Sequence, residues 1–149
     1  MEDLDYHERL KKLGMYSLER RREIYFIIYG WQQIENIKEN ILDLKTSWRG
    51  PSRRIISKRI REYQAEGIRL KRSDITKIHN CPARRIERLF NTIPAKLRNI
   101  TNVSTETFKN HLDKWLNTVP DLPKAGGYSK WVAAESNGVQ HQAVTLMAR

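Results

Sequence analysis

Eight consecutive residues, Ile24-Tyr-Phe-Ile-Ile-Tyr-Gly-Trp31, form the most apolar stretch of a chain whose mean hydropathy is −0.71. Only 39% of its 149 residues are hydrophobic, against about 45–50% in an ordinary globular domain when glycine is included. Burial of apolar surface drives folding, so a core must gather round this stretch. Steps of three and four run from Ile24 through Ile27, Ile28, Trp31, Ile34, Ile37 and Ile41 to Leu44, which places them on one helical face. Ser17 stands where an N-cap belongs. The spacing therefore predicts one long helix over 17–44, with Gly30 as a place to kink, since Gly costs about 1 kcal/mol against Ala inside a helix. A core face is the main reading of the stretch; a membrane or partner-helix surface is its rival.

Other segments carry their own signals. Leu4, Leu10 and Leu13 keep helical spacing among charges over 4–13, and Gly14 is a stop. Asp43 to Pro51 reads as a loop, punctuated by Gly50-Pro51. Residues 53–66 fit strand or helix, with Arg61-Glu-Tyr-Gln-Ala-Glu66 favouring helix. Ile68-Arg-Leu-Lys-Arg72 alternates apolar and basic, as a short strand does. A helix over 83–92 turns Ile86, Leu89 and Phe90 inward and Arg84, Arg85 and Arg88 outward, and Pro94 begins another turn ending near Asn99. Ser104 caps the last helix, with Val103 and Phe108 as a hydrophobic staple. Phe108, Leu112, Trp115, Leu116 and Val119 make its buried stripe, and Pro120 ends it. After Pro123 no period persists. The expected fold is mainly α: one small helical basic domain over 1–123, a short β element near 53–72, and a flexible, disordered tail over 124–149.

Charge is the strongest functional signal. The chain carries 28 Lys/Arg against 17 Asp/Glu, a formal net charge of +11. Between Arg49 and Arg98 stand fifteen Lys/Arg and only four acids, so this third of the chain holds the whole excess. A localised basic segment on a neutral frame is the electrostatic footprint of a polyanion. Arginine dominates it, and guanidinium suits bidentate phosphate contact. The expected contacts to RNA or DNA backbone are Arg53, Arg54, Lys58, Arg59 and Arg61, then Arg69, Lys71, Arg72, Arg84, Arg85 and Arg88. Tyr63 packs on apolar neighbours or stacks on a base. Arg20-Arg21-Arg22 opposes the dipole of its helix and is read as an exposed cluster screened by Glu19 and Glu23.

Other chemistry finds little support. One Cys excludes an intramolecular disulfide framework. No run of 18 apolar residues exists to span a membrane. The acidic Met1-Glu-Asp-Leu-Asp5 is no secretory signal, so an intracellular place, nuclear or cytoplasmic, is expected. With no secretory route, the sequons at Asn99 and Asn102 read as loop and cap residues. His79-Asn-Cys81 offers two ligands where a structural zinc needs four. Cys81 has no evident His base, Asp3 and Asp5 read as a solvated helix start, and no glycine-rich phosphate loop occurs. No metal, no cofactor and no catalytic residue are expected.

Three segments resemble the region after the palm of non-LTR retrotransposon reverse transcriptases. Tyr6-His-Glu-Arg-Leu-Lys-Lys-Leu-Gly-Met-Tyr-Ser-Leu-Glu-Arg-Arg-Arg22 is similar to that family's "RL…LGL-SLE-RR" stretch. Leu89-Phe-Asn-Thr-Ile-Pro94 is similar to its "WN-LP" turn, and Val103 to Trp115 to its terminal "VN-FK-LD-W" helix. They follow the family's order over roughly residues 4–122, while 31–82 match only loosely. The catalytic Asp pair of the family's Tyr/Phe-Ala-Asp-Asp motif is not in this sequence. The resemblance implies a C-terminal fragment that holds template backbone and has no polymerase activity of its own, with a palm domain or another subunit as partner. Two rivals stand beside it: a protein–protein interaction module packing through the helix around 17–44, and a translated pseudogene fragment with no selected function.

Overall fold

The first helix is fixed at both ends by its own side chains. Asp5 accepts from the Glu8 N–H at 2.8 Å while the Glu8 carboxylate accepts from the Asp5 N–H at 3.2 Å, a reciprocal cap. Gly14, at φ +64°, closes the other end of α1 (Tyr6–Leu13). Helix α2 (Leu18–Ile34) starts where Ser17 Oγ accepts from the Arg20 N–H at 3.2 Å. The computed structural model describes residues 3–121 and Val139. Among these, α1 and α2 are followed by strands β1 (Lys45–Arg49) and β2 (Ser52–Ile56) and helices α3 (Ile60–Ala65), α4 (Arg72–His79), α5 (Pro82–Thr92), α6 (Ala95–Arg98) and α7 (Thr105–Leu116). The chain is mainly helical with one small sheet, as the sequence implies. The tail expected over 124–149 lies outside the described residues apart from Val139.

Several boundaries differ from expectation. The long helix stops at Ile34, because Asn36 takes a left-handed conformation at φ +58°. Ile37 and Ile41, which carry the period onward, are exposed, and Leu44 reaches the core from a loop. The segment read as a loop contains β1, and no strand forms over 68–72. The β element is instead an antiparallel hairpin in which Trp48 faces Arg53, Thr46 faces Ile55 and Ser47 faces Arg54. Its two-residue turn places Gly50 at φ +59° before Pro51, the sign order of a II′ connection. The segment 53–66, which fits strand or helix, resolves into β2 and then α3.

The chain divides into two compact units, Phe26–Lys109 and Met1–Tyr25 with Asn110–Arg149. In the first, Ile27, Trp31, Leu44, Ile55, Ile86, Leu89, Phe90, Ile93, Leu97 and Phe108 are buried. The Trp31 and Phe108 rings stack in parallel with centroids 4.4 Å apart, and Trp31 Nε1 donates to the Ile100 carbonyl at 2.9 Å. Helix α2 runs through Gly30 without a break. Gly30 lets α5 pack close: a Cβ here would lie 2.4 Å from Ile86 Cγ2. Two asparagines close the outer edge of β2. Asn91 Oδ1 accepts from the Ile55 N–H and Asn91 Nδ2 donates to the Ile55 carbonyl, both at 3.0 Å. Asn99 does the same for the Arg53 N–H and the Pro51 carbonyl.

In the second unit, Leu10, Leu112, Leu116, Val119 and Val139 are buried. Arg20 is buried with them and donates to the Val119 and Pro120 carbonyls at 3.4 and 2.7 Å. This corrects the reading of Arg20-Arg21-Arg22 as an exposed triplet: only Arg21 and Arg22 are exposed. Glu23, also buried, accepts from the Val139 N–H. Trp115 is half-buried, so the stripe of α7 is narrower than the sequence suggests.

Candidate nucleic-acid interface

Burial and ion pairing sort the cations of 49–98 into two groups. Arg53 is buried, because the strand alternation that puts Ile55 in the core puts Arg53 there too. Each of its three guanidinium nitrogens is engaged: Nε donates to the Arg98 carbonyl at 2.8 Å, Nη1 to Glu35 at 2.7 Å and Nη2 to the Ile100 carbonyl at 2.8 Å. Glu35 also accepts from Thr101 Oγ1 at 2.8 Å. Arg53 is therefore a clasp inside the fold, buried away from any phosphate in solvent.

Glu87 is a second hub. It is buried and accepts from Ser57 Oγ at 2.6 Å, from Arg59 at 2.5 Å and from Arg84 at 3.5 Å. Lys58 bonds both carboxylate oxygens of Glu66, at 2.8 and 2.7 Å, and its Nζ lies 4.4 Å from the Tyr63 ring centroid. The hydrogen bonds it donates to Glu66 raise the Lys58 pKa above its ordinary value. Four expected contacts, Arg53, Lys58, Arg59 and Arg84, thus already hold carboxylates, and Tyr63 is covered by a cation.

The other eleven Lys and Arg of 49–98 form no ion pair among the described residues. Arg61, Arg69, Lys71, Arg72, Arg85 and Arg88, all expected contacts, are exposed. Arg85 and Arg88 sit three residues apart on the wet face of α5, where such residues are neighbours. The Arg85 guanidinium also lies 5.0 Å from the Phe26 ring centroid, which holds the charge in place without neutralising it. Arg54, the remaining expected contact, is half-buried on the outer face of the hairpin.

That outer face holds residues the sequence reading did not select. The register sets Lys45 opposite Ile56, Ser47 opposite Arg54 and Arg49 opposite Ser52. Lys45, Arg49 and Arg54 therefore share one face. Arg98 reaches it from α6, its Nη2 donating to Ser52 Oγ at 2.5 Å while Nη1 donates to the Asn91 carbonyl at 2.7 Å. Desolvation first, and the nearby Arg54 charge second, lower the Arg98 pKa. Arg98 Nε is buried without a hydrogen-bond partner. Lys45 and Arg49 could have been found by alternation through Ser47; Arg98 could not, because it joins the hairpin only through tertiary structure.

No family model, no curated protein and no solved structure matches this chain. Among the described residues, no three His, Cys, Asp or Glu side chains gather to hold a metal ion, and no helix is long and apolar enough to cross a membrane. Cys81 stands half-buried at the N-cap of α5, ahead of Pro82.

Proposed function

We propose that this chain binds the sugar-phosphate backbone of nucleic acid through the unpaired cations of Phe26–Lys109, without reading sequence and without catalysis of its own. The observation that carries this reading is the division of charge within 49–98. Its carboxylates Glu66 and Glu87 are consumed locally by Lys58, Arg59 and Arg84, while eleven cations keep no carboxylate partner among the described residues. The ordered resemblance to the post-palm region of retrotransposon reverse transcriptases supports the same reading, since such a region holds template backbone. The rival interaction-module reading keeps Leu18, Tyr25, Ile37 and Ile41 as exposed apolar side chains of 17–44, while Ile27 and Trp31 on α2 are buried in the unit's own core.

Backbone binding releases condensed counterions, so log affinity falls linearly with log salt, with a slope of about −0.9 per phosphate on duplex and about −0.7 on single strands. Replacing Arg61, Arg69, Lys71, Arg72, Arg85 and Arg88 together by Gln should flatten that slope by about 3 or more on a labelled duplex if at least four of them reach phosphates. A control, Lys11, Lys12, Arg21 and Arg22 to Gln, removes four exposed charges outside the segment and should leave the slope nearly unchanged. Equal affinity and equal slope for the sextuple variant and the wild type would refute the proposal.

A further inference from the structure

The hairpin β1–β2 has opposite chemistry on its two faces and one open edge. On the outer face, Arg54 is diagonal to both Lys45 and Arg49, a relation of about 7–8 Å in an antiparallel pair. Arg98 adds a fourth charge beside Ser52. None of the four meets a carboxylate among the described residues. The opposite face carries Thr46 and Trp48 across from Ile55 and Arg53. Ile55 and Arg53 are buried, whereas Trp48 is left 57% exposed.

The edges differ as well. Asn91 and Asn99 occupy the outward backbone groups of β2 at Ile55 and Arg53. By the same alternation Thr46 and Trp48 turn their backbone groups away from β2, and no hydrogen bond among the described residues occupies them. Successive side chains of a strand point to opposite faces, so a polymer lying along this edge meets cations on one side and an indole on the other.

We propose that an unpaired nucleic-acid strand lies along the open edge of β1, with its phosphates against Lys45, Arg49 and Arg54, the charge of Arg98 behind them, and one base stacked on Trp48, so that the protein prefers single strands to duplex. This deepens the backbone-binding reading and rests on it. A duplex keeps its bases stacked on one another and presents none to Trp48; a single strand has unstacked bases to offer, and aromatic stacking accepts any of them. Charge selects the occupant: four cations favour a polyanion over a neutral β-strand.

The test measures binding of a labelled twelve-nucleotide oligo-dT and a twelve-base-pair duplex across a salt series, for wild type, Trp48→Ala, Trp48→Phe and the pair Arg49→Gln/Arg54→Gln. Trp48→Ala should weaken oligo-dT binding by roughly 5- to 150-fold, the span of base–aromatic stacking, and barely affect duplex. It should leave the salt slope intact, whereas the arginine pair should flatten the single-strand slope by about 1.4. Trp48→Phe should keep most of the affinity and lose the part of the indole quenching that oligo-dT produces in the wild type. Unchanged oligo-dT affinity in Trp48→Ala, equal wild-type affinity for strand and duplex, or equal displacement of oligo-dT by poly-Glu would overturn the inference while the backbone-binding reading stands or falls on its own charge series. Absence of binding to either nucleic acid would overturn both.

Discussion

At the scale of single residues, the two arginines of the Arg53-Arg54 pair have opposite fates, and the difference is measurable. Arg53 gives three hydrogen bonds to groups inside the fold, one of them to Glu35. Its loss strands a mostly buried carboxylate and two carbonyls, so Arg53→Gln should cost about 3–5 kcal/mol of unfolding free energy in urea. Lysine cannot reproduce three diverging N–H bonds, so Arg53→Lys should recover little. Arg54→Gln, on the outer face, should stay within about 0.5 kcal/mol of wild type. Tyr16 supplies a second residue-scale prediction. Its hydroxyl donates to Asn117 Oδ1 at 2.7 Å, and burial, then the Asp113 charge, raise its pKa above 10.0. The folded state therefore favours the neutral phenol. The stabilisation is complete below pH 10 and is lost as pH rises through the raised value. Thermal melts between pH 9 and 11 should show the wild type losing stability more steeply than Tyr16→Phe; parallel curves would mean that the phenol is not held.

At the scale of elements, the contact of α2 with α5 sets a sharper test than any propensity rule. Alanine is the better helix former by about 1 kcal/mol, so an exposed Gly30 would gain from replacement. Here the new methyl meets Ile86 Cγ2 at 2.4 Å, and overpacking a core typically costs about 1–3 kcal/mol. Gly30→Ala should therefore destabilise, and the penalty should shrink or reverse in an Ile86→Ala background; additive effects across that double-mutant cycle would show that the helices do not touch there. On α7, Phe108→Ala should cost about 3–5 kcal/mol because the ring is fully buried against Trp31, and Trp115→Ala distinctly less. Much of this was legible in the sequence where the cause is local. Gly14 ends α1, Ser17 and Ser104 cap α2 and α7, and Ile86, Leu89 and Phe90 keep a 3.6-residue period into the core. The end of α2 was not legible, because Ile37, Ile41 and Leu44 prolong the period past a turn that Asn36 makes by its φ alone. Strand β1 was not legible either, since Lys-Thr-Ser-Trp-Arg has little to bury and is held by pairing with β2. The same limit divided the candidate site. Arg53 finds Glu35 eighteen residues away and Arg59 finds Glu87 twenty-eight away, so counting charge along the sequence located the basic segment but not which of its cations were free.

At the scale of the whole molecule, Phe26–Lys109 carries eighteen Lys/Arg and eight acids, while the rest of the chain is nearly balanced. Self-repulsion of that size weakens a compact state, and a polyanion that binds only the folded form relieves it. Inorganic polyphosphate at about 100 times its Kd should raise the unfolding free energy by about 2.7 kcal/mol. Dextran, uncharged and of similar length, should have no such effect, and equal responses would mean that the charge is merely solvated. The asparagines on β2 bear on how copies of this chain can associate. Sheets grow into fibrils by adding strands at both margins, and each added copy must offer a fresh one. With Asn91 and Asn99 already bonded along β2, each copy has a single margin to give, and Lys45 and Arg49 make two such margins repel. Strand-to-strand association is thereby capped at a pair and opposed even there, so this hairpin can leave one edge unsealed for a ligand without becoming a seed for aggregation.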